Sequence, residues 1–366
     1  MAAPAGWSEL PKELLHLISQ RLDIEIDLLR FRSVCSNWRS SSIPNHHHIL
    51  PLKFPLFLNS IHNASFSNLS KQNFFLIKPP PQQQTQIRPW LIRISKNSTG
   101  KSQLFNPLLC HVPPYLFPHA LDSDELSVVP LGNNFIKEYD FTENWNYIFP
   151  EKVVAVTCHG KKPIVLGTLL VNPQPLILKC GDENWKVVPD LSVYLGDICD
   201  FKGWPYAVER NGNTVRVGVD DSCDSSVQLV SEPLVDGGGF RKFLVESESE
   251  LLLVDVYDCT HVGFADHVPL RIDLFKLDEK EKKWVKLTSL GDRVLFLGFV
   301  CSFTISILDL CVTKGNCVIF MDNILKWFTY FDAASCVFNL DEGRLSPLSD
   351  YPEYDVFLPP EWIVNS

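Results

Sequence analysis

The stretch NSTGKS, residues 97–102, carries the Gly-Lys-Ser ending of a phosphate-binding loop. Such a loop cradles phosphate oxygens with backbone N–H groups. It requires another glycine five residues before Gly100. Ser95 occupies that position in this chain. The spacing therefore predicts a hairpin turn that leads into the apolar residues of QLFNPLL, rather than a nucleotide site.

Two histidine-containing stretches, HHH at residues 46–48 and CTH at residues 259–261, offer side chains that could ligate a metal ion. Adjacent histidines in a loop or strand point in different directions. Neither stretch has a cysteine or carboxylate pair at the spacing of a zinc site. We therefore predict a solvated linker at residues 46–48 and no metal site.

Candidate catalytic groups are equally isolated. The carboxylate pair Asp220–Asp221 falls in a polar, turn-like stretch, and the chain contains no Gly-x-Ser-x-Gly motif. No cysteine has the local sequence of a recognised nucleophile. We predict no catalytic residue and no cofactor, and the mixed-charge run KLDEKEKKW (residues 276–284) is predicted to be a solvated hairpin turn.

The 11 cysteines are scattered from Cys35 to Cys336 without a Cys-x-x-Cys pair. This pattern favours reduced, buried thiols over a disulfide framework, and reduced thiols are typical of the cytosol or nucleus. The start MAAPAGWSELP lacks the charged and apolar regions of a signal peptide, and no run of about 18 apolar residues exists. The expected location is the nucleus, the cytoplasm or both, with no membrane partner.

The stretch DLLRFRSVCSNWRS, residues 27–40, supports two readings: a basic helix for nucleic acid, or an apolar strip for another protein. The chain has a formal net charge of −10, and residues 1–50 hold five basic and five acidic side chains. This balance argues against charge-driven nucleic-acid binding. Arg30, Arg32 and Arg39 are expected to lie around the strip and pair with acidic groups of a partner. The strip repeats at helical spacing: Leu28, Phe31, Val34, Cys35 and Trp38.

The residues before this strip predict a helix. WSELPKELLHLISQRL places leucine and isoleucine at three- and four-residue spacings. Ser8 is a candidate N-cap, and Pro11 would lie in the first turn, where its missing N–H costs little. Asp27 can cap the following helix, and Pro44 ends the helical pattern.

After residue 50 the pattern changes to short apolar runs separated by turn residues, which predicts strands with only short helical segments. YAVERNGNTVRVGVD (residues 206–220) and VTKGNCVIFMDN (residues 312–323) each combine a Gly/Asn turn with β-prone residues and predict hairpins.

Tryptophan follows a polar pair three times, at Trp145, Trp185 and Trp284, separated by 40 and 99 residues. Many short strands with a period of roughly 40 to 50 residues favour a β-propeller. In such a fold an outer-strand tryptophan would pack against the neighbouring sheet. The 318 residues after position 48 would accommodate six or seven blades, although the echoes do not fix the number.

Residues 7–41, WSELPKELLHLISQRLDIEIDLLRFRSVCSNWRSS, resemble an F-box. The shared elements are Leu-Pro at 10–11, Arg-Leu at 21–22, Asp-Leu-Leu at 27–29 and Arg-x-Val-Cys-x-x-Trp-Arg at 32–39. Most of residues 140–366 is similar to a plant F-box family with a C-terminal propeller-like domain of unassigned function. The echoes include GDENWKVVPDL and the tail FLPPEWIV.

The resemblance implies an α + β multidomain protein, with a small three-helix F-box at residues 6–48 and an all-β, propeller-like substrate-binding domain at residues 49–366. It further implies docking on the Skp-type adaptor of a cullin–RING (SCF-type) ubiquitin ligase. The β domain would recruit an unidentified protein for ubiquitination, and the chain itself would not be an enzyme.

A unit of about 40 residues buries too little apolar surface to be stable alone, so docking an exposed stripe on partner helices would stabilise it. Trp38 is the strongest single anchor, because buried aromatic residues dominate interface energies. Each of these positions could serve the internal three-helix core instead. The candidate adaptor-binding residues are Leu10, Pro11, Leu14, Leu17, Ile18, Leu22, Val34, Cys35 and Trp38.

Two alternatives remain open at the sequence level. The first is a non-degradative module whose β domain binds a small ligand, a glycan or a partner protein, with Trp204 and Tyr206 of KGWPYAV lining the site. The second is a hydrolase-type propeller enzyme, which would require titratable groups that converge at the mouth of the channel.

Overall fold

A computed structural model shows two compact units, Met1–Pro51 and Leu52–Ser366. Each is described by itself below. The structure describes residues 7, 10–19, 21–22, 30–32, 34–42, 53–55, 66–78, 88–96, 102–108, 115, 127–137, 152–156, 164–168, 176–179, 186–188, 191, 195–219, 225–235, 238–257, 270–299, 301–321, 324 and 336–360.

The first unit is helical. It contains α1 (Lys12–Ser19), a helical segment at residues 30–32, and α2 (Ser36–Ser41). Pro11 lies directly before α1 rather than inside its first turn, and its carbonyl accepts a hydrogen bond from the Leu15 N–H at 3.1 Å. The proline therefore starts the helix without removing a donor. Ser8, Asp27 and Pro44 lie outside the described residues.

The core of the helical unit is small. Leu15 on α1 is completely buried. Phe31, on the helical segment at residues 30–32, is buried as well. The rings of Phe31 and Trp38 lie 4.5 Å apart, tilted by 40°. His16 Nδ1 lies 3.3 Å from the Ser41 carbonyl oxygen, which ties α1 to the end of α2.

The second unit is built of β-sheets, which we call blades 1 to 5 in chain order. Blade 1 holds β1 (Lys53–Pro55), β2 (Phe66–Lys78), β3 (Trp90–Lys96), β4 (Ser102–Phe105) and β5 (Ser127–Lys137). Blade 2 holds β6 (Lys152–Val156), β7 (Ile164–Thr168), β8 (Leu176–Lys179) and β9 (Lys186–Val187). Blade 3 holds β10 (Leu195–Phe201), β11 (Trp204–Glu209), β12 (Thr214–Val219) and β13 (Ser225–Ser231).

The remaining strands form two further sheets. Blade 4 holds β14 (Arg241–Ser247), β15 (Glu250–Tyr257), β16 (Arg271–Asp278) and β17 (Lys283–Leu287). Blade 5 holds β18 (Arg293–Leu297), β19 (Phe303–Ser306), β20 (Cys317–Phe320), β21 (Cys336–Asn339) and β22 (Arg344–Pro347). Its short helices are α3 (Ile307–Leu310) and two 3₁₀ turns, Leu348–Asp350 and Pro352–Tyr354.

The five sheets form a closed ring. The strands β5, β6, β10, β14 and β19 contact one another in that order, and β19 contacts β5 again. Apolar clusters fill the spaces between blades 2 and 3, 3 and 4, 4 and 5, and 5 and 1. This arrangement confirms the predicted propeller.

The described residues form five sheets, fewer than the six or seven blades that the chain length would accommodate. The difference arises in blade 1, where β2 alone takes 13 residues and the sheet spans residues 53–137. A period of 45 residues therefore does not apply there.

Blade 1 is joined to the last part of the chain. The Leu91 N–H donates to the Val356 carbonyl at 2.7 Å, and the Tyr115 hydroxyl donates to the Phe357 carbonyl at 3.0 Å. Phe357 is buried in the apolar cluster that blades 1 and 5 share. These contacts close the ring.

Two of the predicted hairpins are confirmed. Strands β11 and β12 are antiparallel around a turn in which Gly212 has a φ of +92°, a conformation that favours glycine. KLDEKEKKW forms the turn between β16 and β17, where the Asp278 carboxylate accepts the backbone N–H groups of Lys280 and Glu281. β3 and β4, which flank the Gly-Lys-Ser triplet, also pair as antiparallel neighbours.

The hairpin predicted in VTKGNCVIFMDN is wrong. Strand β20 instead pairs parallel with β18 and antiparallel with β21. A Cβ on Gly315 would lie 2.8 Å from the backbone of Gly291 and Asp292, so the glycine permits a close chain crossing. The Gly-Asn pair therefore allows two distant segments of the chain to lie close together, and it does not form a hairpin turn.

Trp284 confirms the predicted role of an outer-strand tryptophan. Its ring is buried between blades 3 and 4. Its Nε1–H donates to the Gly212 carbonyl at 3.0 Å and lies 3.2 Å from the Thr214 hydroxyl oxygen. Trp145 and Trp185 lie outside the described residues.

Within the described part of the chain, no helix is long and apolar enough to cross a membrane.

Candidate functional site

Helix α1 presents an apolar face to solvent. Leu14, Leu17 and Ile18 are 48%, 54% and 39% exposed, whereas Leu15 is fully buried. The three exposed residues lie at i, i+3 and i+4, which places them on one face of the helix. The outer face of a helix in a self-sufficient domain is normally polar, so this face has the character of a binding surface. We call Leu14, Leu17 and Ile18 the α1 stripe.

The other six predicted adaptor-binding residues are not fully buried either. Pro11 and Val34 are exposed, whereas Leu10, Leu22, Cys35 and Trp38 are partly buried. Trp38 has two roles within the unit, because its ring stacks near Phe31 and its Nε1–H donates to the Trp7 carbonyl at 3.1 Å. Contact of the nine residues with an adaptor stays a prediction.

Sequence reasoning missed Leu15, the central residue of the small core. Its neighbours Leu14 and Leu17 have the same chemistry, and the helical spacing alone does not say which leucine faces inward. One signal was present: Leu15 is followed at i+4 and i+7 by Ser19 and Leu22. Ser19 is buried, and its hydroxyl donates to the His16 carbonyl at 2.8 Å.

Arg32 and Arg39 act inside the unit. The Arg32 guanidinium donates to the carbonyl and hydroxyl oxygens of Ser42, and the Arg39 Nε–H donates to the Arg32 carbonyl at 3.2 Å. A cation at the end of α2 complements the partial negative charge of a helix C-terminus. Arg32 therefore supports the local fold, a role the sequence did not indicate.

The interior of the propeller contains charged groups. Asp197 on β10 accepts two hydrogen bonds from the Lys152 ammonium on β6, at 2.8 and 2.9 Å. Its Oδ2 also accepts the backbone N–H of Leu244 on β14 at 2.8 Å. One carboxylate thus joins the inner strands of blades 2, 3 and 4. A bulge in β10 lies directly before this residue, and bulges commonly re-aim a side chain.

A second ion pair is completely buried within blade 4. The Lys242 ammonium on β14 lies 2.5 Å from the Asp255 carboxylate on β15, and neither side chain has exposed area. Asp255 also accepts the Gly239 N–H at 3.3 Å, where any Cβ would collide with the carboxylate. Burial lowers the pKa of Lys242, and the bond to Asp255 opposes that shift.

Carboxylates gather where β10 and β14 end. Asp200 keeps exposed surface, but partial burial and the nearby Glu246 carboxylate together raise its pKa to about 6. Burial likewise raises the pKa of Glu246, whereas Lys202 lowers it. Lys202 itself pairs with Glu279 at 2.5 Å.

The aromatic residues proposed to line a ligand site are largely packed. Tyr206 is buried in the cluster between blades 3 and 4. Trp204 is partly buried, and the Arg216 guanidinium lies 4.5 Å from its ring centroid. Tyr206 therefore does not offer a free ring face to a ligand.

Among the described residues, no three histidine, cysteine or acidic side chains gather as metal ligands. The six described cysteines are free thiols: Cys35, Cys199, Cys301, Cys311, Cys317 and Cys336. The HHH and CTH stretches and the Asp220–Asp221 pair lie outside the described residues.

Comparison with known protein families matches both units. A model of the F-box domain matches residues 7–45, and a model of the KIB1-4 β-propeller matches residues 66–339. The chain belongs to the F-box proteins that carry a KIB1-4 β-propeller. The F-box match includes the α1 stripe and all nine predicted adaptor-binding residues.

Similar proteins come from Arabidopsis thaliana. F-box protein SKIP23 is 33% identical over 98% of this chain and 96% of its own length. F-box protein At2g17036 is 31% identical over 98% and 95%. The putative F-box/kelch-repeat protein At5g24040 is 27% identical over 98% and 99%. The likeness thus covers both units together.

Proposed function

We propose that this chain is the substrate-recognition subunit of an SCF-type cullin–RING ubiquitin ligase. Its F-box would dock on a Skp-type adaptor and, through it, on the cullin and RING subunits. Its propeller would hold a target protein for ubiquitination. The observation that carries the proposal is the exposed α1 stripe within a unit whose sequence matches the F-box family.

Burial of the stripe would supply binding energy that the free unit lacks. Complete burial of an exposed leucine or isoleucine contributes about 1.5–3 kcal/mol, and these three side chains are roughly half exposed, so each has about 1 kcal/mol to gain. An amphipathic helix that lies in an apolar groove is a common mode of recognition. Val34 and Pro11 add exposed surface on the same unit.

The proposal assigns no chemical step to this chain, which would act by proximity. A receptor that holds a target beside a charged ubiquitin-conjugating enzyme turns an encounter in solution into an effectively intramolecular one. The propeller suits this role because closure of the ring and the Asp197 contacts join its inner strands into one frame. The proposed location is the nucleus, the cytoplasm or both.

Adaptor binding tests the first half of the proposal. We expect the triple variant Leu14→Ser, Leu17→Ser, Ile18→Ser to lose at least roughly 100-fold in affinity for a purified Skp-type adaptor, because about 3 kcal/mol of apolar contact is removed. Leu308→Ser is a matched control, since Leu308 is 81% exposed on the propeller. Equal adaptor binding by the triple variant and the wild type would overturn the docking surface.

The degradative half requires a target. Affinity purification under proteasome inhibition should recover ubiquitinated proteins with the wild type and none with the stripe variant. Cullin association without any ubiquitinated client would contradict this role and favour a binding module that does not direct degradation.

A further inference from the structure

Arg241 begins β14, the inner strand of blade 4, and its guanidinium is partly buried. Its Nε is excluded from solvent and has no hydrogen-bond partner. Among the described residues, no carboxylate forms an ion pair with it. Buried polar groups in folded proteins are nearly always hydrogen-bonded, so an exception calls for a physical reason.

The neighbouring charges are already neutralised. Lys152 pairs with Asp197, and Lys242 pairs with Asp255. Asp197 is the one acid whose charge raises the pKa of Arg241, and burial lowers that pKa by more. The Asp197 carboxylate is committed to the Lys152 ammonium and the Leu244 N–H. Because these acids are paired with lysines, the positive charge of Arg241 has no ion-pair partner of its own among the described residues.

Aromatic rings restrain the guanidinium. Its Cζ lies 5.8 Å from the centroid of Phe243 and 5.9 Å from that of Phe299, so blades 4 and 5 each contribute a ring. Such cation–π contacts hold the group in place without using its N–H donors. The donors stay available in a setting of reduced dielectric, where their attraction for an anion is stronger than in water.

Three other arginines of the propeller each have a polar partner. Arg216 also stacks on an aromatic ring, but it donates to the Gln228 side chain. Arg271 stacks on Tyr257 and pairs with Asp273, and Arg293 donates to the Leu290 carbonyl and the Ser247 hydroxyl. Among these four, Arg241 alone combines aromatic support with a buried Nε–H that has no hydrogen-bond partner.

We propose that Arg241 is an oxyanion-binding site in the propeller, which receives a carboxylate or phosphate group. The planar fork of a guanidinium matches the two oxygens of either group, and the charge-assisted bonds would satisfy the donors that the fold leaves unused. The site belongs to the propeller and does not depend on adaptor docking, so each can fail without the other.

The test uses the full chain with ¹⁵N-labelled arginine, in a buffer free of oxyanions. The Arg241 Nε–H signal is assigned by its loss in Arg241→Lys, and sodium phosphate, sodium acetate and sodium chloride are added at equal ionic strength. We expect a saturable shift with phosphate or acetate and none with chloride; the responding anion identifies the group. The site would be overturned if the Nε–H signal shifted with neither oxyanion, or shifted equally with chloride.

Calorimetric titration with the responding anion provides the matched comparison. Arg241→Gln should weaken binding at least roughly tenfold, because the charge-assisted hydrogen bonds of the guanidinium are lost. Arg216→Gln, which removes a stacked arginine that already has a side-chain partner, should bind like the wild type. Unchanged binding by Arg241→Gln would contradict the proposal.

Thermal unfolding separates a binding role from a structural one. Without oxyanions, Arg241→Met should raise the melting temperature by about 2 °C or more, since it removes an unpaired buried charge and keeps an apolar stem. A lower melting temperature in this variant would show that the guanidinium supports the fold, against the proposal.

Discussion

The helical unit and the propeller place apolar and charged groups in opposite ways. The helical unit leaves Leu14, Leu17 and Ile18 exposed, whereas the propeller buries Lys242 and Asp255 completely. A unit with apolar groups outside is completed by a partner, whereas charges inside must be satisfied by the chain itself. The exposed stripe is the basis of the adaptor binding that we propose for the first unit, whereas the buried ion pair stabilises the fold of the second.

The largest expected effect comes from breaking the buried ion pair of the propeller, Lys242 with Asp255. Lys242→Met leaves the Asp255 carboxylate buried without its cation and should lower the free energy of unfolding by about 3–5 kcal/mol. Urea unfolding followed by tryptophan fluorescence measures it. The double variant Lys242→Met, Asp255→Leu is the control and should be close to the wild type. A single variant as stable as the double one would show that the pair is not buried in solution.

The next effect sharpens the contrast between neighbouring leucines of α1. Leu15→Ala should destabilise the helical unit by about 2–5 kcal/mol, because it opens a cavity in a small core. Leu14→Ala should cost far less, since that side chain is half exposed. Amide hydrogen exchange across residues 12–19 reports both. If the two substitutions accelerated exchange equally, the inward and outward faces of α1 would be wrongly assigned.

A smaller effect tests how adjacent blades are joined. Trp284→Phe keeps most of the buried ring but removes the Nε1–H that donates to Gly212 of blade 3. It should lower stability by about 0.5–1.5 kcal/mol, because one buried hydrogen bond is lost while the Gly212 carbonyl still accepts the Thr214 hydroxyl at 3.0 Å. Chemical unfolding followed by far-UV circular dichroism is suitable. Trp204→Phe is the comparison, since Trp204 is partly buried; a larger loss there would contradict the interblade role.

The smallest effect concerns the carboxylate of Asp200, near the end of β10. Because the pKa of Asp200 is raised to about 6 in the folded state, the folded protein binds more protons than the unfolded chain between about pH 4 and 6. Stability should therefore fall as pH rises through this window. Asp200→Asn should stabilise the propeller by about 1 kcal/mol or less at pH 7, after allowance for solvent screening, and by nothing near pH 4.

Thermal unfolding of both proteins at pH 4 and pH 7 checks this linkage. Asp278→Asn provides the opposite case, because hydrogen bonds from the Glu281 and Lys280 backbone lower the pKa of Asp278. Loss of that carboxylate should be unfavourable at pH 7. An Asp200→Asn effect independent of pH would rule out the titration as its cause.

Local signals in the sequence predicted local structure well. The turn residues of KLDEKEKKW, the Arg-Asn-Gly-Asn turn after β11 and the Trp284 echo each act over a few residues or on the adjacent sheet. The F-box signature likewise spans a continuous segment. The fold class therefore followed from pattern and resemblance.

Properties that depend on distant segments were beyond the sequence. Lys242 and Asp255 occur in strands that also carry exposed charges, so nothing local marks them as buried partners. Gly315 resembles a turn glycine but serves a crossing near Gly291. The unused donors of Arg241 become visible only when the carboxylates around it are matched with other cations.

The ring can close only after the last part of the chain has been synthesised. Leu91 and its partner Val356 are 265 residues apart in the chain. At a translation rate of about 5–20 residues per second, blade 1 would wait roughly 13 to 53 seconds before its closing segment is made. During that interval Phe74 and Leu76, which the closed ring buries, lack their blade 5 neighbours. The nascent chain therefore carries these apolar side chains without their final packing until the rest of the ring has been made.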